Sequence, residues 1–162
     1  MRDALPRPHG ETPLTPLAPG VVVIGVGNEL RGDDAAGPLV MAQLRETGLE
    51  VSTCHDGTEL LDLWQGVHLA IVVDAVVTGA PAGTIHRFTE RLRMGAKPSS
   101  THTLGVDHAV ELARALGRLP PKLIVYGIEG TAFGVGEPLS AAVSAAIPRV
   151  ARHVRDEVAS PA

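Results

Sequence analysis

A chain of 162 residues with 44% hydrophobic residues suits one globular domain with a full core. Only 2% of its residues are aromatic, so aliphatic side chains must fill that core. A net charge of -4 without a basic run argues against nucleic acid or an anionic membrane surface as partner, and the lone Cys54 excludes an internal disulfide. No apolar run reaches membrane-spanning length and the N-terminus lacks a signal peptide's apolar core, so a cytoplasmic location is expected.

Residues 1–20 contain Pro6, Pro8, Pro13, Pro16 and Pro19 and are expected to form a flexible or loosely draped extension. The folded domain is then 21–162. It opens with Val21-Val22-Val23-Ile24, a β-branched run suited to a strand buried on both faces. Gly25, Gly27 and Asn28 tolerate the turn that follows, and Asp33-Asp34 stand at the mouth of a helix. Helical spacing runs from Ala35 to Glu46, with Pro38 in the first turn and Gly48 as terminator. A short second strand is predicted over Glu50 to Cys54. Thr58 is predicted to cap a helix reaching Trp64.

Leu69 to Val73 reads as a second fully buried strand, ending at Asp74. A fourth strand is predicted from Gly83 to Phe88, a mobile loop from Arg93 to Thr101, and a helix from Leu104 to Leu116. The last strand is placed at Leu123 to Tyr126. The last helix runs from Leu139 to Val158, bent or interrupted at Pro148. Alternating strands and helices predict a single-domain α/β three-layer sandwich, with a mostly parallel twisted sheet and helices on both faces.

The carboxyl ends of the strands in such a sheet share one edge. Asp34, Asp74 and His102 can therefore converge there. Two carboxylates and an imidazole suit a borderline divalent ion such as nickel or zinc, with open positions left for water or a partner's ligands. Plainer roles stand beside this one. Asp33 or Asp34 can cap the helix, and Asp74 can bond the N–H groups of its own turn. Asp56 can contact a substrate or fix its Gly-Thr turn; Glu129 can serve a substrate, support a ligand, or be a solvated loop charge. Cys54 and His55 point to opposite faces of a strand, which argues against a nucleophile pair. No strained serine elbow is present. Gly25-Val26-Gly27-Asn28-Glu29-Leu30 lacks the third glycine of a dinucleotide loop, and its acidic pair would repel a pyrophosphate. A phospho-accepting receiver domain would need a lysine where Tyr126-Gly127 stand.

Taken in order, Gly25-Val26-Gly27-Asn28, Asp33-Asp34 with Gly37, Asp56-Gly57-Thr58, Val73-Asp74-Ala75 and Ser100-Thr101-His102-Thr103-Leu104-Gly105 closely resemble the hydrogenase maturation endopeptidases. The resemblance implies a peptidase that removes the C-terminal peptide of a nickel–iron hydrogenase large-subunit precursor after nickel insertion. The precursor's nickel would be the recognition element. It implies Asp34, Asp74 and His102 as nickel contacts, and Asp34 and Asp74 as the catalytic carboxylates of an aspartyl-type endopeptidase. Asn28, Asp56 and Glu129 are assigned to substrate binding. Nickel arrives with the substrate, and zinc or cadmium can stand in for it in vitro. The implied partner is the nickel-loaded precursor, met by a monomer. The alternative is a non-catalytic nickel sensor or chaperone of the same precursor.

Overall fold

The first strand, β1, spans Val21–Val26 and is buried at its core residues as a β-branched run requires. This description comes from a computed structural model, in which residues 14–89 and 105–160 are described. His102 and the predicted loop from Arg93 to Thr101 lie outside the described residues, as do residues 1–13 of the extension. A short 3-10 turn over Gly32–Ala35 leads into α1, Ala36–Glu46. Strand β2 is Ser52–Cys54, followed by a 3-10 turn over Gly57–Glu59 and the single-turn helix α2, Leu60–Leu63. Then come β3, Leu69–Val76; β4, Ile85–Phe88; α3, Val106–Ala115; β5, Lys122–Glu129; and α4, Ala141–Ala159.

The five strands form one sheet in the order β2-β1-β3-β5-β4. All neighbours are parallel except β4, which pairs antiparallel with β5. Period-two alternation divides the strand side chains between two cores. Val23, Ile71, Val73, Ile124 and Ile128 pack beneath α1 and α4. Ile24, Val26, Ala70, Val72 and Val125 pack beneath α2 and α3. The predicted three-layer α/β architecture is therefore the observed one. The chain crosses from β1 to β2 on one side and to β3 on the other. The switch point between β1 and β3 is where such sheets open a crevice at their carboxyl edge.

Two glycines bring the elements at that crevice close together. Gly27 has φ +144°, a region that side-chain-bearing residues avoid, and a Cβ there would run into the Asp34 carbonyl. Gly37 lies in the first turn of α1, and a Cβ there would strike the carbonyl oxygens of Val26 and Val73. The helix start thus rests directly on the ends of β1 and β3.

Several boundaries differ from the sequence expectations, for identifiable reasons. Asp74 does not end its strand: β3 continues to Val76, because β5 continues alongside it with Asp74 opposite Gly127 and Val76 opposite Glu129. Glu129 is accordingly the last residue of β5, not a residue after it. The cap of the turn before α2 is Asp56, whose side chain accepts from the Thr58 N–H at 2.8 Å; Thr58 is the capped residue. Helix α4 passes through Pro148 without interruption. Pro148 and Ser144 both face solvent, so the Ser144 carbonyl that loses its helical partner stays open to water. Of the extension, Thr15 bridges to Leu49 ahead of β2, and Leu17 packs against the α1–α4 core.

Candidate active site

Adjacent in sequence, Asp33 and Asp34 have different surroundings. Asp33 is fully buried. Its Oδ2 accepts from the N–H groups of Thr131 at 2.8 Å and Ala132 at 3.0 Å, and its Oδ1 from that of Ser140 at 2.8 Å. Burial by itself would raise its pKa, but these donors outweigh it and hold the carboxyl below its usual value. Asp33 therefore ties the start of α1 to the loop after β5 and to Ser140, the N-cap of α4.

Asp34 is half-buried and faces the crevice. Its Oδ2 accepts one hydrogen bond, from the Asn28 N–H at 3.0 Å. Its Oδ1 has no partner among the described residues. Asn28 bends the loop that makes this possible: its own Oδ1 accepts from the Leu30 N–H at 2.9 Å. Desolvation raises the pKa of Asp34, against the Asn28 N–H and the Arg31 guanidinium, which lower it.

Asp74 projects from β3 on the α2–α3 side, the side of its neighbour Val72. Its pKa is pushed well above the ordinary value, first by burial and next by the negative charge of Asp34; Asp107 adds to the rise, and only the Ala75 N–H opposes it. The two carboxylates proposed from sequence thus share one crevice closely enough to repel. No cationic side chain among the described residues lowers Asp74. Asp107, in the first turn of α3, was not picked out from sequence, where an acidic residue at a helix start reads as dipole complement. Its Oδ1 is buried without a partner among the described residues, and burial raises its pKa too.

The remaining assignments fare differently. Glu129 is 1% exposed. Its carboxylate accepts from the Thr78 N–H at 2.7 Å, the Thr78 hydroxyl at 2.8 Å and the Gly79 N–H at 3.0 Å, with His86 Nε2 at 3.1 Å. Burial raises its pKa, but these bonds prevail and keep it below the usual value. Glu129 is therefore neither a solvated charge nor open to a substrate; it holds the turn after β3. Asp56 spends its Oδ1 on the N–H and hydroxyl of Thr58, the turn role. Cys54 is buried, its Sγ donates to the Asp56 carbonyl at 3.4 Å, and desolvation together with nearby carboxylates pushes its pKa to about 12, which makes it an inert thiol.

Among the described residues, no group of three or more His, Cys, Asp or Glu is arranged to hold a metal ion. What Asp34 and Asp74 offer is two neighbouring, hard oxygen donors suited to a cation delivered from outside. Loops at the same carboxyl edge of the sheet carry exposed apolar side chains. Leu30 is 73% and Val135 80% exposed, and their loops are joined by the Gly136 N–H, which donates to the Leu30 carbonyl at 2.8 Å. Val77, just beyond β3, is exposed as well. Exposed apolar side chains beside a polar centre fit a peptide ligand.

The hydrogenase maturation protease family model (HycI) matches residues 54–157, a span that contains Asp74 and begins beyond Asp34. Hydrogenase expression/formation protein HupD of Thiocapsa roseopersicina is 30% identical over 120 residues, covering 68% of this chain and 54% of its own length. Hydrogenase expression/formation protein HupM of Azotobacter chroococcum mcd 1 is 32% identical over 129 residues, covering 72% of this chain and 60% of its own. The chain thus spans little more than half the length of these two relatives. Among solved structures, the hydrogenase maturating endopeptidase HybD from E. coli superposes with a TM-score of 0.69 at 25% identity, over 83% of this chain and 88% of that one. The hydrogenase maturation protease HycI from Thermococcus kodakarensis KOD1 gives a TM-score of 0.65 at 22% identity, over 86% and 92%. No helix among the described residues is long and apolar enough to cross a membrane.

Proposed function

Because the chain belongs to the hydrogenase maturation protease family, we propose that it cuts the C-terminal peptide from a nickel–iron hydrogenase large-subunit precursor once nickel is in place. The observation that carries this reading is the pair Asp34 and Asp74: the negative charge of Asp34 raises Asp74, and among the described residues no cationic side chain lowers Asp74. A divalent ion carried by the substrate relieves that repulsion and turns both carboxylates into ligands. His102, outside the described residues, is the third proposed ligand. The nickel is part of the substrate, and zinc or cadmium added to the isolated protein occupies the same donors. Asn28 takes part through its N–H, which positions Asp34.

Metal contact fixes the scissile peptide beside the carboxylates, turning a loose encounter into a positioned one. A water beside the carboxylates attacks the peptide carbonyl as one carboxylate accepts its proton, and that proton then passes to the amine as the C–N bond breaks and the C-terminal peptide leaves. The exposed apolar side chains of Leu30, Val77 and Val135 grip the flanking chain. The proposed setting is the cytoplasm, with a monomer acting on folded precursor.

Asp74→Asn tests the reading. Shortening of nickel-loaded precursor, followed by mass spectrometry, should slow by at least about 100-fold, the usual loss for a missing proton acceptor or ligand. Full activity of this variant defeats the proposal. Precursor that binds the parent protein but is never shortened would point instead to a nickel sensor or chaperone.

A further inference from the structure

Glu129 and His86 form a second polar pair on the same face of the sheet as Asp74. Asp74 on β3 lies opposite Gly127 on β5, and Gly127 lies opposite His86 on β4. Residues opposite one another in a sheet point to the same side, so Asp74 and His86 flank Gly127, over which the side chains of Val76 and Phe88 close to form an apolar floor. The backbones of Asp74 and His86 stand two strand spacings apart, about 9.5 Å. An extended peptide covers that distance in roughly three residues.

The His86 ring is fixed on two sides. It stacks on Phe88 with centroids 5.6 Å apart and planes 13° apart. Its Nε2 lies 3.1 Å from Glu129 Oε2. A carboxylate accepts only, so Nε2 carries a proton, and in the neutral ring Nδ1 is the acceptor. Nδ1 has no partner among the described residues, and the side chain is 22% exposed. Glu129 already takes three hydrogen bonds from Thr78 and Gly79, so its burial does not require a histidine. A neutral imidazole oriented by a buried carboxylate, partly exposed and with its other nitrogen unpartnered among the described residues, is built to receive a donor.

We propose that His86, positioned by Glu129, accepts a hydrogen bond at Nδ1 from a main-chain N–H of the precursor, two to three residues from the bond cut beside Asp74. His86 is then a binding residue and Glu129 a positioning residue. The proposal rests on the peptidase reading above.

Two substitutions separate this role from a merely structural one. His86→Gln keeps an amide donor for Glu129 and removes the acceptor from the Nδ1 position, since its Oε1 is borne one bond further along, beside the donor. His86→Asn places an amide oxygen near the Nδ1 position and gives up the Glu129 bond. With nickel-loaded precursor, His86→Gln should keep the parental melting temperature and kcat while KM rises about tenfold, the signature of a lost binding contact. His86→Asn should recover part of that KM. A parental KM for His86→Gln, or no recovery in His86→Asn, overturns the role. In the parent protein, the 15N resonance of His86 Nδ1 should move when precursor is added; a stationary resonance overturns it independently of whether the variants fold. A parent that shortens precursor while these tests fail leaves the peptidase reading intact. A parent that never shortens precursor removes both.

Discussion

Two neighbouring aspartates have opposite electrostatic fates, and distant donors decide which is which. Asp33 meets three N–H groups supplied from residues 131, 132 and 140, whereas Asp34 meets one, from residue 28. Asp33→Ala should lower stability by about 2–4 kcal/mol, since it leaves three part-buried N–H donors without their acceptor. Urea unfolding measures this, and a loss below about 1 kcal/mol would mean that water replaces the carboxylate. The sequence could not separate the pair, because its decisive partners lie about a hundred positions downstream. It did place Asp34 and Asp74 at one edge, since each follows or lies within a buried strand that was plain from composition. Asp107 was hidden because an acidic first turn is commonplace. Of the roles open to Glu129, burial leaves the supporting one, and the choice was hidden because its partners are the Thr78–Gly79 turn and His86, which nothing local announces.

At the scale of elements, long apolar runs made β1 and the start of β3 legible, while polar residues concealed how far the strands continue. Asp74 remains in β3 because β5 pairs with it, and pairing is a property of the sheet and not of the run. The antiparallel setting of β4 was equally unreadable, because hairpin-like return and crossover begin with the same short β-rich segment. Pro148 was expected to bend or break the last helix, yet α4 is continuous. The ring sits on the solvent side, and water can serve the freed carbonyl. Pro148→Ala should therefore restore one helical hydrogen bond and raise stability by about 1–2 kcal/mol, the helix penalty of proline less the entropy regained by the unfolded chain. Thermal unfolding should rise by roughly 2–4 °C per kcal/mol. A fall would assign weight to the ring's place beside Gln43 and Thr47 in the groove between α1 and α4.

For the whole molecule, two sets of carboxylates respond to pH in opposite senses. Asp33, Glu129 and Glu157 are held below their usual values, for Glu157 because bonds from Arg87 and Tyr126 overcome the desolvation that opposes them. They stabilise the fold above the ordinary carboxylate range, and that support fades as pH falls through their lowered values. Asp34, Asp74 and Asp107 are raised, chiefly by burial. The folded state binds their protons more tightly than the unfolded chain does, so stability falls as pH climbs from the ordinary value to the raised one. The double variant Asp34→Asn/Asp74→Asn should then be more stable than the parent near pH 7, with the advantage shrinking to nothing below about pH 4. Urea midpoints across that range check it; an advantage independent of pH would show that packing, not charge, is responsible.

The margins of the sheet have a further consequence. One border strand, β2, has only three residues, with Thr15 laid beside Leu49 just ahead of it. The other, β4, has four, and its Arg87 is locked to Glu157 at 2.7 Å. Short, partly shielded or charge-bearing borders give a foreign strand little ladder to extend. Edge-to-edge zippering between copies is thereby discouraged, so a visiting chain is left to side-chain contacts on the sheet's face instead of a new ladder.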